Sequence, residues 1–450
     1  MTAFDTLYAK ALAAAETRDF DRALQFYDEA IAVDPSRAEP YYKRANALRT
    51  LGRLEESLAS YDAAIARKPD YAYAYCNRGV VQQNLGRFAQ ALESFDQAAA
   101  LDPTDPLVPY NRALLMQDTD RWEEALVDYD RTIALSPGHA DAHYNRSLVQ
   151  LFCGDFEQGW RGFEWRWQNA ARLGIGAVAS FTQPLWLGRE SIAGKRLLLH
   201  SEAGLGDTIQ FCRYATACAA LGATVILEVQ PALVDLLATL EGASQVIAKG
   251  NPLPPFDYHC PLMSLPLALK TTLDTIPSAP RYLATDPAKV TQWRQALGPR
   301  TSPRVGLVWS GNPNNPIDAK RSIPLAEWAP HLPREFQYFC LQNEVREADR
   351  KALAANPFIF DVGNMNFVST AAFCECLDVV LCVDTSIAHL SGALGRRTWL
   401  LLPSVPDWRW LRDRADSPWY PNMRLYRQTT AGDWRGVFHR IAADLRALTP

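Results

Sequence analysis

The chain has 450 residues, 48% of them hydrophobic and 21% charged, and a formal net charge of −4. That length exceeds what one compact core usually holds, so two or three domains are expected. The near balance of charges argues against a nucleic-acid-binding protein, because such proteins are held to phosphates by excess positive charge.

Cysteine usage and hydropathy bear on the compartment. The nine cysteines include no C-x-x-C pair and no zinc-ligand spacing, which is typical of reduced thiols. The N-terminus lacks the pattern of a secretory signal peptide. No apolar run approaches the roughly 20 residues that span a bilayer. We therefore expect a cytoplasmic protein with no membrane insertion.

The first part of the chain carries a repeat. Prolines recur every 34 residues, and so do large residues, at Tyr27, Tyr61, Phe95 and Tyr129. This period predicts tetratricopeptide (TPR) helix hairpins, in which small residues let two helices approach and large ones fill the gap. We predict a TPR α-superhelix over residues 1–170, with four full repeats. A degenerate fifth repeat, residues 140–167, would cap the array and dock on the next domain through its aromatic residues.

Stacked TPR hairpins form a concave groove. Polar residues recur with the repeat at Asn77, Asn111 and Asn145, with Lys43 in the matching place, and at Arg44, Arg78, Arg112 and Arg146. Side-chain amides offer both a donor and an acceptor, which suits an extended peptide backbone. The groove is thus predicted to bind a protein or peptide. The alternative is that these side chains only cap and bridge adjacent repeats.

After a linker at residues 171–194, short apolar runs alternate with helix-length segments. The predicted strands are Arg196–His200, Thr224–Val229, Arg304–Trp309, Gln337–Leu341, Asp378–Val383 and Thr398–Leu402. Such alternation predicts parallel sheets. A proline-rich stretch near residues 277–303 divides the region, so we expect two Rossmann-like lobes, at 195–285 and 303–450. Ligands of open α/β sheets lie at the carboxyl ends of the strands.

The first strand-to-helix junction contains Gly204, Gly206 and Asp207. Glycines let the backbone approach a ligand closely, and the free amides of a helix start favour anions. Asp207 is a candidate general base that takes a proton from an acceptor hydroxyl. The alternative is that Asp207 is an ordinary helix N-cap.

A second junction ends a buried strand in Asp384, followed by Thr385 and Ser386 at the start of a helix that includes His389. Hydroxyls and unpaired amides at a helix start form a cradle for a diphosphate. Hydroxyl capping with a packed histidine is the alternative.

A third segment joins two features, Ser310 with Asn312 and the cations Lys320 with Arg321. Adjacent cations could neutralise phosphate charge without a metal. A solvated loop is the alternative. Further along, aromatics and arginines interleave between residues 406 and 420. They could stack on a base or sugar, although packing is the favoured interpretation.

These three segments together resemble the ADP-heptose:lipopolysaccharide heptosyltransferase-like family over about residues 195–440. The resemblance implies a GT-B fold and a nucleotide-diphosphate sugar used without a metal. By that likeness Asp207 would be the base of the acceptor lobe, and Lys320, Asp384, Thr385, Ser386 and His389 would bind the donor. The family usually has glycine where Ser386 stands. A TPR array ahead of a GT-B domain is also similar to the layout of O-GlcNAc transferase.

Some motifs are absent. Every D-x-D lies in the TPR half, so the α/β half lacks the carboxylate pair that holds a metal in many sugar transferases. A phosphate-binding G-x-x-x-x-G-K-[ST] loop and a G-x-G-x-x-G fingerprint are also missing, which argues against an ATPase and a dinucleotide enzyme. The sequence therefore predicts an inverting, metal-independent glycosyltransferase acting on a hydroxyl of a recruited protein or peptide. The alternative is a TPR interaction scaffold with a weak or inactive GT-B-like domain.

Overall fold

The computed structural model describes residues 2–173, 181–315 and 317–448. Within the predicted linker at 171–194, residues 174–180 lie outside the described residues. The chain divides into two units, Met1–Val149 and Gln150–Pro450. This division comes earlier than the boundary predicted at residue 170, because the last helix of the repeat region packs within the second unit.

The first unit consists of helix pairs. Its helices are α1 (Ala3–Glu16), α2 (Phe20–Val33), α3 (Ala38–Thr50), α4 (Leu54–Arg67), α5 (Ala72–Asn84), α6 (Phe88–Leu101), α7 (Leu107–Asp118), α8 (Trp122–Leu135) and the larger part of α9 (Ala140–Phe152). The recurring large residues predicted from the sequence, such as Tyr61 and Phe95, are fully buried. At Gly79 a Cβ atom would lie 2.7 Å from the Phe95 ring. The small-and-large pattern of the TPR is therefore what lets each pair of helices approach.

The turn inside each hairpin shows a periodicity that the sequence analysis missed. The residue in the left-handed region recurs every 34 residues, and its φ is positive at Arg18, Gly52, Gly86, Asp120 and Gly154. Glycine adopts this conformation without steric cost, whereas other residues lose roughly 1–2 kcal/mol. Two of the five hairpins thus close on a strained residue.

A glycine substitution tests this turn. Gly86→Ala should destabilise the chain by about 1 kcal/mol, because φ is +72° and no atom lies within 4 Å of the added methyl. The matched control is Gly138→Ala, where there is also open space but φ is not left-handed. That change should be neutral or stabilising by up to about 1 kcal/mol. The melting temperatures of both variants can be measured by circular dichroism. Equal shifts in the two melting temperatures would contradict this explanation.

The second unit contains two parallel sheets. The first has the order β3-β2-β1-β4. Its strands are β1 (Arg196–His200), β2 (Thr224–Val229), β3 (Ala243–Ala248) and β4 (Tyr258–Pro261). The second has the order β10-β9-β8-β5-β6-β7. Its strands are β5 (Arg304–Val308), β6 (Gln337–Cys340), β7 (Ile359–Asp361), β8 (Val379–Val383), β9 (Thr398–Leu402) and β10 (Met423–Arg427). Parallel pairing places the carboxyl ends of neighbouring strands at one edge.

Helices surround these sheets. They are α10 (Phe156–Phe163), α11 (Ala170–Leu173), α12 (Leu205–Phe211), α13 (Tyr214–Ala220), α14 (Val234–Leu237), α15 (Leu265–Ala268), α16 (Pro287–Leu297), α17 (Asp318–Arg321), α18 (Leu325–Trp328), α19 (Glu347–Ala355), α20 (Phe367–Cys374), α21 (Ser386–Ala393) and α22 (Arg435–Arg446). The prediction of helical repeats followed by a parallel-sheet α/β region is confirmed. The arrangement of the two lobes as a GT-B pair stays a prediction.

The second helix of the fifth hairpin, α10, packs inside the second unit. Trp160 is buried, its Nε1 donates to the Thr271 carbonyl at 3.1 Å, and its ring meets Trp408 edge-on at 5.2 Å. The 3₁₀ segment Glu164–Asn169 follows α10. This aromatic face explains why the fifth repeat departs from the repeat pattern.

Among the described residues, no helix has both the length and the apolar content needed to cross a bilayer.

Candidate functional site

A cleft of about 820 Å³ opens at the carboxyl ends of β1, β5, β6 and β8. It brings together residues that lie far apart in the sequence. Those predicted from the sequence are Gly204, Gly206, Asp207, Ser310, Asn312, Arg321, Asp384, Thr385, Ser386 and His389. Both lobes of the second unit contribute to this cleft, as expected for ligands of open α/β sheets.

Asp207 lies in the first turn of α12, three residues after the N-cap. The N-cap is Gly204, and its backbone N–H donates to Asp207 Oδ2 at 2.8 Å. The N-cap position thus belongs to Gly204 and not to Asp207, while a capping role of Asp207, the alternative to a general base, agrees with this contact. Asp207 instead closes the helix start by accepting the amide of the cap residue.

The other oxygen of Asp207 is held by Arg409. The Arg409 guanidinium donates to Asp207 Oδ1, to Asp407 Oδ1 at 2.9 Å and to Gln210 Oε1 at 2.6 Å. Its side chain is buried, so these hydrogen bonds replace water. Arg409 and Asp207 belong to different lobes, and their ion pair crosses the base of the cleft.

Gly206 has a packing role that its sequence context did not reveal. A Cβ atom at this position would lie 2.8 Å from Cδ2 of His389. The α12 backbone thus approaches α21 across the two lobes as closely as glycine permits. Gly206 lines the cleft, as predicted. The group that its backbone approaches so closely that only glycine fits is the His389 side chain, not a ligand.

The 384–389 segment forms a fixed wall of the cleft. Thr385 is the N-cap of α21, but its side chain makes no capping hydrogen bond, and its Oγ1 is buried with no partner among the described residues. Asp384 Oδ2 accepts from Trp410 Nε1 at 2.9 Å. Burial, and next the nearby Asp407, raises the pKa of Asp384 to about 6.

His389 lies one turn further along α21. Its Nδ1 is 2.8 Å from the Tyr420 hydroxyl, and its ring stacks on Trp410. Burial lowers the pKa of His389 well below its ordinary value, and Arg409 acts in the same direction. The histidine is therefore neutral at pH 7.

The loop after β5 supplies cations to the cleft. Arg321 donates to the Asp384 carbonyl at 2.7 Å, and it lines the cleft. Its neighbour Lys320 is exposed, and it is not among the described residues that line the cleft. Of the two cations predicted to bind a diphosphate, Arg321 is therefore the one that lines the cleft.

Two residues predicted in this loop differ in how they are held. Ser310 is buried and bonded to Gln342 through both its N–H and its hydroxyl. Asn312 is exposed, and its Oδ1 accepts from the Asn314 N–H at 3.0 Å. Ser310 is therefore fixed by the segment that follows the neighbouring strand β6, while Asn312 shapes its own turn.

The lining residues that were not predicted as site residues include Gln342, Arg346, Asp407 and Arg409. Arg346 follows β6 and donates to the Gly311 carbonyl at 2.7 Å and to Asp318. Its Nε is buried with no partner among the described residues. Arg409 belongs to the segment after β9 in which aromatics and arginines interleave. In that segment Trp408 packs against Trp160, while Arg409 lines the cleft.

The arginines predicted to line the TPR groove bridge successive repeats. Each pairs with an aspartate 16 residues earlier, on the preceding hairpin, and the pairs are Arg44–Asp28, Arg78–Asp62, Arg112–Asp96 and Arg146–Asp130. Arg112 also pairs with the buried Asp128 at 2.6 Å. These contacts agree with the alternative interpretation, in which the arginines bridge adjacent repeats.

The asparagines make similar contacts. Asn77 donates to the Tyr42 hydroxyl at 3.0 Å, and Asn145 donates to the Tyr110 hydroxyl at 3.1 Å. Asn111 lies 3.4 Å from Cys76 Sγ. Each amide thus reaches the preceding repeat, which occupies part of the hydrogen-bonding capacity that a peptide would need.

Family models match the repeat region. A TPR repeat is matched at residues 45–86, and tetratricopeptide repeats are matched at residues 4–37 and 72–105. The prediction of TPR repeats is confirmed. These matches support a TPR protein-interaction scaffold, the alternative in the sequence analysis, better than they support glycosyl transfer.

One curated relative and several solved structures resemble the chain. Protein FlbA of Caulobacter vibrioides is 27% identical over 332 residues, which cover 66% of this chain and 54% of the relative. The chain therefore spans about half the length of that relative. The MamA crystal structure is 19% identical with a TM-score of 0.34, covering 38% of this chain and 96% of its own. The pilus biogenesis factor PilW is 20% identical with a TM-score of 0.35, covering 38% of this chain and 79% of its own.

Proposed function

We propose that the second unit is a GT-B-type inverting glycosyltransferase related to the heptosyltransferase-like family. It moves a sugar from a nucleotide diphosphate to an acceptor hydroxyl on a protein or peptide recruited by the TPR repeats. The observation that carries this proposal is the cleft, which gathers the 204–207, 310–321 and 384–389 segments from both lobes.

The donor diphosphate would lie at the start of α21. Thr385 Oγ1 has no partner there, and the first amides of a helix are free to donate. Arg321 and Arg346 line the same cleft. Both pair with the same carboxylate, Asp318, so each guanidinium keeps N–H groups that could donate to a dianionic group. These contacts would stabilise the leaving diphosphate without a metal.

Asp207 would act as the general base. The acceptor hydroxyl gives its proton to this carboxylate while its oxygen attacks the anomeric carbon, and the bond from that carbon to the diphosphate breaks. A single displacement of this kind inverts the anomeric centre. The amide of Gly204 and the guanidinium of Arg409 fix the carboxylate in one orientation, and general-base catalysis requires such positioning.

Donor binding is the first test. Replacing Thr385 and Ser386 together with alanine should weaken binding of a nucleotide sugar by about 10²–10⁴-fold, because each of the two lost hydrogen bonds to a charged group costs roughly 1.5–3 kcal/mol. Thr291→Ala, an exposed hydroxyl on α16, is the control and should leave affinity unchanged. Calorimetric titration of UDP-glucose, GDP-mannose and ADP-glucose measures both. If the folded double variant bound nucleotide sugars as tightly as the wild type, the start of α21 would not be the diphosphate site.

A TPR scaffold with an inactive α/β unit is the second candidate. The family matches to the repeats favour it, and so does the engagement of both Asp207 oxygens by other groups. It predicts that none of the three nucleotide sugars stabilises the protein in a thermal-shift screen. A true donor at 100 times its dissociation constant would add roughly 2.7 kcal/mol of apparent stability.

A further inference from the structure

Asp384 occupies an unusual place for a carboxylate. It directly precedes Thr385, the N-cap of α21, and it lines the cleft in which the proposed function puts a diphosphate. A carboxylate beside a diphosphate repels it, and in a partly dry site the repulsion is strong. Either the side chain turns away when the donor binds or the carboxyl group becomes neutral.

Two hydrogen bonds hold Asp384 in its position beside the cleft. Trp410 Nε1 donates to its Oδ2 at 2.9 Å, and Arg321 donates to its backbone carbonyl at 2.7 Å. Trp410 is itself fully buried and stacks on His389. The residue is thus fixed both at its side chain and at its backbone.

The second carboxyl oxygen is the one that can change. Asp384 Oδ1 lies 3.9 Å from His389 Nε2, which is beyond hydrogen-bonding distance. A proton on Oδ1 would convert this oxygen from an acceptor, which repels phosphate oxygens, into a donor that binds one.

We propose that Asp384 takes up a proton when the nucleotide sugar binds and donates it in a hydrogen bond to the diphosphate. This inference rests on the proposed function. For each nucleotide sugar bound, one proton moves from solvent to the Asp384 carboxylate, and no other covalent bond changes in this step.

The surroundings of Asp384 favour that protonation. Its charged and titratable neighbours are Asp407 and Arg409 in the segment after β9, Arg321 on α17, His389 on α21 and Cys382 on β8. Burial and the Asp407 charge outweigh the two arginines, so the pKa of Asp384 is already about 6. A negative charge about 5 Å away raises the pKa of a carboxyl group by roughly 2 at an effective dielectric constant of about 20.

His389 is the competing proton acceptor. It faces the same cleft, and an anion would favour its charged form as well. Burial together with three arginines holds the pKa of His389 well below its ordinary value, whereas the Asp384 carboxyl is close to neutralisation. The observations therefore favour Asp384.

Calorimetry separates these possibilities. UDP-glucose, GDP-mannose and ADP-glucose are titrated into the full chain at pH 7 in PIPES and in Tris, which have different ionisation enthalpies. Nucleotide sugars are suitable because their diphosphate has no ionisation near pH 7. We expect uptake of roughly 0.5–0.9 proton per ligand, and an affinity that falls by up to about tenfold per pH unit between pH 6 and 8.

The decisive variant is Asp384→Asn, which keeps a hydrogen-bond donor but cannot titrate. It should bind the nucleotide sugar with no proton uptake and no dependence on pH in this range. The control Asp235→Asn removes an exposed carboxylate on α14 and should retain the uptake. This proposal alone is overturned if the wild type binds a nucleotide sugar without taking up a proton. It is also overturned if proton uptake persists in Asp384→Asn and disappears in His389→Gln. An absence of binding by all three nucleotide sugars overturns the proposed function and this inference together.

Discussion

Replacing Asp207 with asparagine should lower sugar transfer by about 10²–10⁴-fold while donor affinity is retained, because the variant loses the proton acceptor and keeps the shape. The measurement is the single-turnover rate at saturating donor. The melting temperature should fall modestly, since asparagine has one acceptor oxygen and the wild-type carboxylate serves both the Gly204 amide and Arg409.

Asp407→Asn is the matched control for that substitution. It removes the other carboxylate paired with Arg409, at 2.9 Å, and leaves Asp207 in place. If Asp207 is a base, the Asp407 variant should lose much less activity at a similar cost in stability. Equal losses in both variants would mean that Asp207 acts only by anchoring Arg409, and wild-type turnover in the Asp207 variant would refute the base directly.

Above about pH 8, where Glu202 with its pKa of about 7 is ionised in the wild type, replacing Arg166 with methionine should destabilise the second unit by about 3–5 kcal/mol, because it strands a buried carboxylate. Arg166 is 0% exposed and pairs with Glu202, 2% exposed, at 2.8 Å, and with Glu164 at 2.6 Å. Urea unfolding followed by tryptophan fluorescence suits this test, since every tryptophan except Trp122 lies in the second unit.

The double variant Arg166→Met with Glu202→Gln tests the cause. Removing the stranded charge should restore part of the lost stability. An equal loss in the single and double variants would show that packing of the Arg166 stem matters more than its charge.

The pH dependence follows from the same pair. Burial raises the pKa of Glu202 from 4.5 to about 7 even beside Arg166. The folded state therefore holds this proton more tightly than the unfolded state, and stability attributable to Glu202 decreases as pH rises from about 4.5 through 7. Glu202→Gln should remove that part of the pH profile.

Much of the secondary structure could be predicted because local signals were strong. β1, β2 and β9 match the predicted strands, since each is a buried apolar run. The missed strands are β3, β4, β7 and β10. Strand β3 is an edge strand in which only one of six residues is buried, and β7 has only three residues, so neither forms a long apolar run.

The site could be predicted in part for a similar reason. Strand-to-helix junctions identify which loops meet at a sheet edge, so the 204–207 and 384–389 segments were found. Arg409 was not, because its partner Asp207 lies 202 residues earlier in the chain. Choosing between Lys320 and Arg321 depends on which way a one-turn helix faces, and adjacent residues give no periodic signal for that.

Under the proposed function, the close approach at Gly206 restricts how the sugar substrate could change. The separation between Asp207 and the start of α21 is set by backbone against an imidazole ring, with no side chain at position 206 to shorten or lengthen. Selection for a larger or smaller sugar could not act there without separating the lobes. It would instead act on the loops at residues 310–315 and 341–346, which also line the cleft and where insertion and replacement are tolerated. Diversification of the donor would therefore leave the chemical centre of the cleft unaltered.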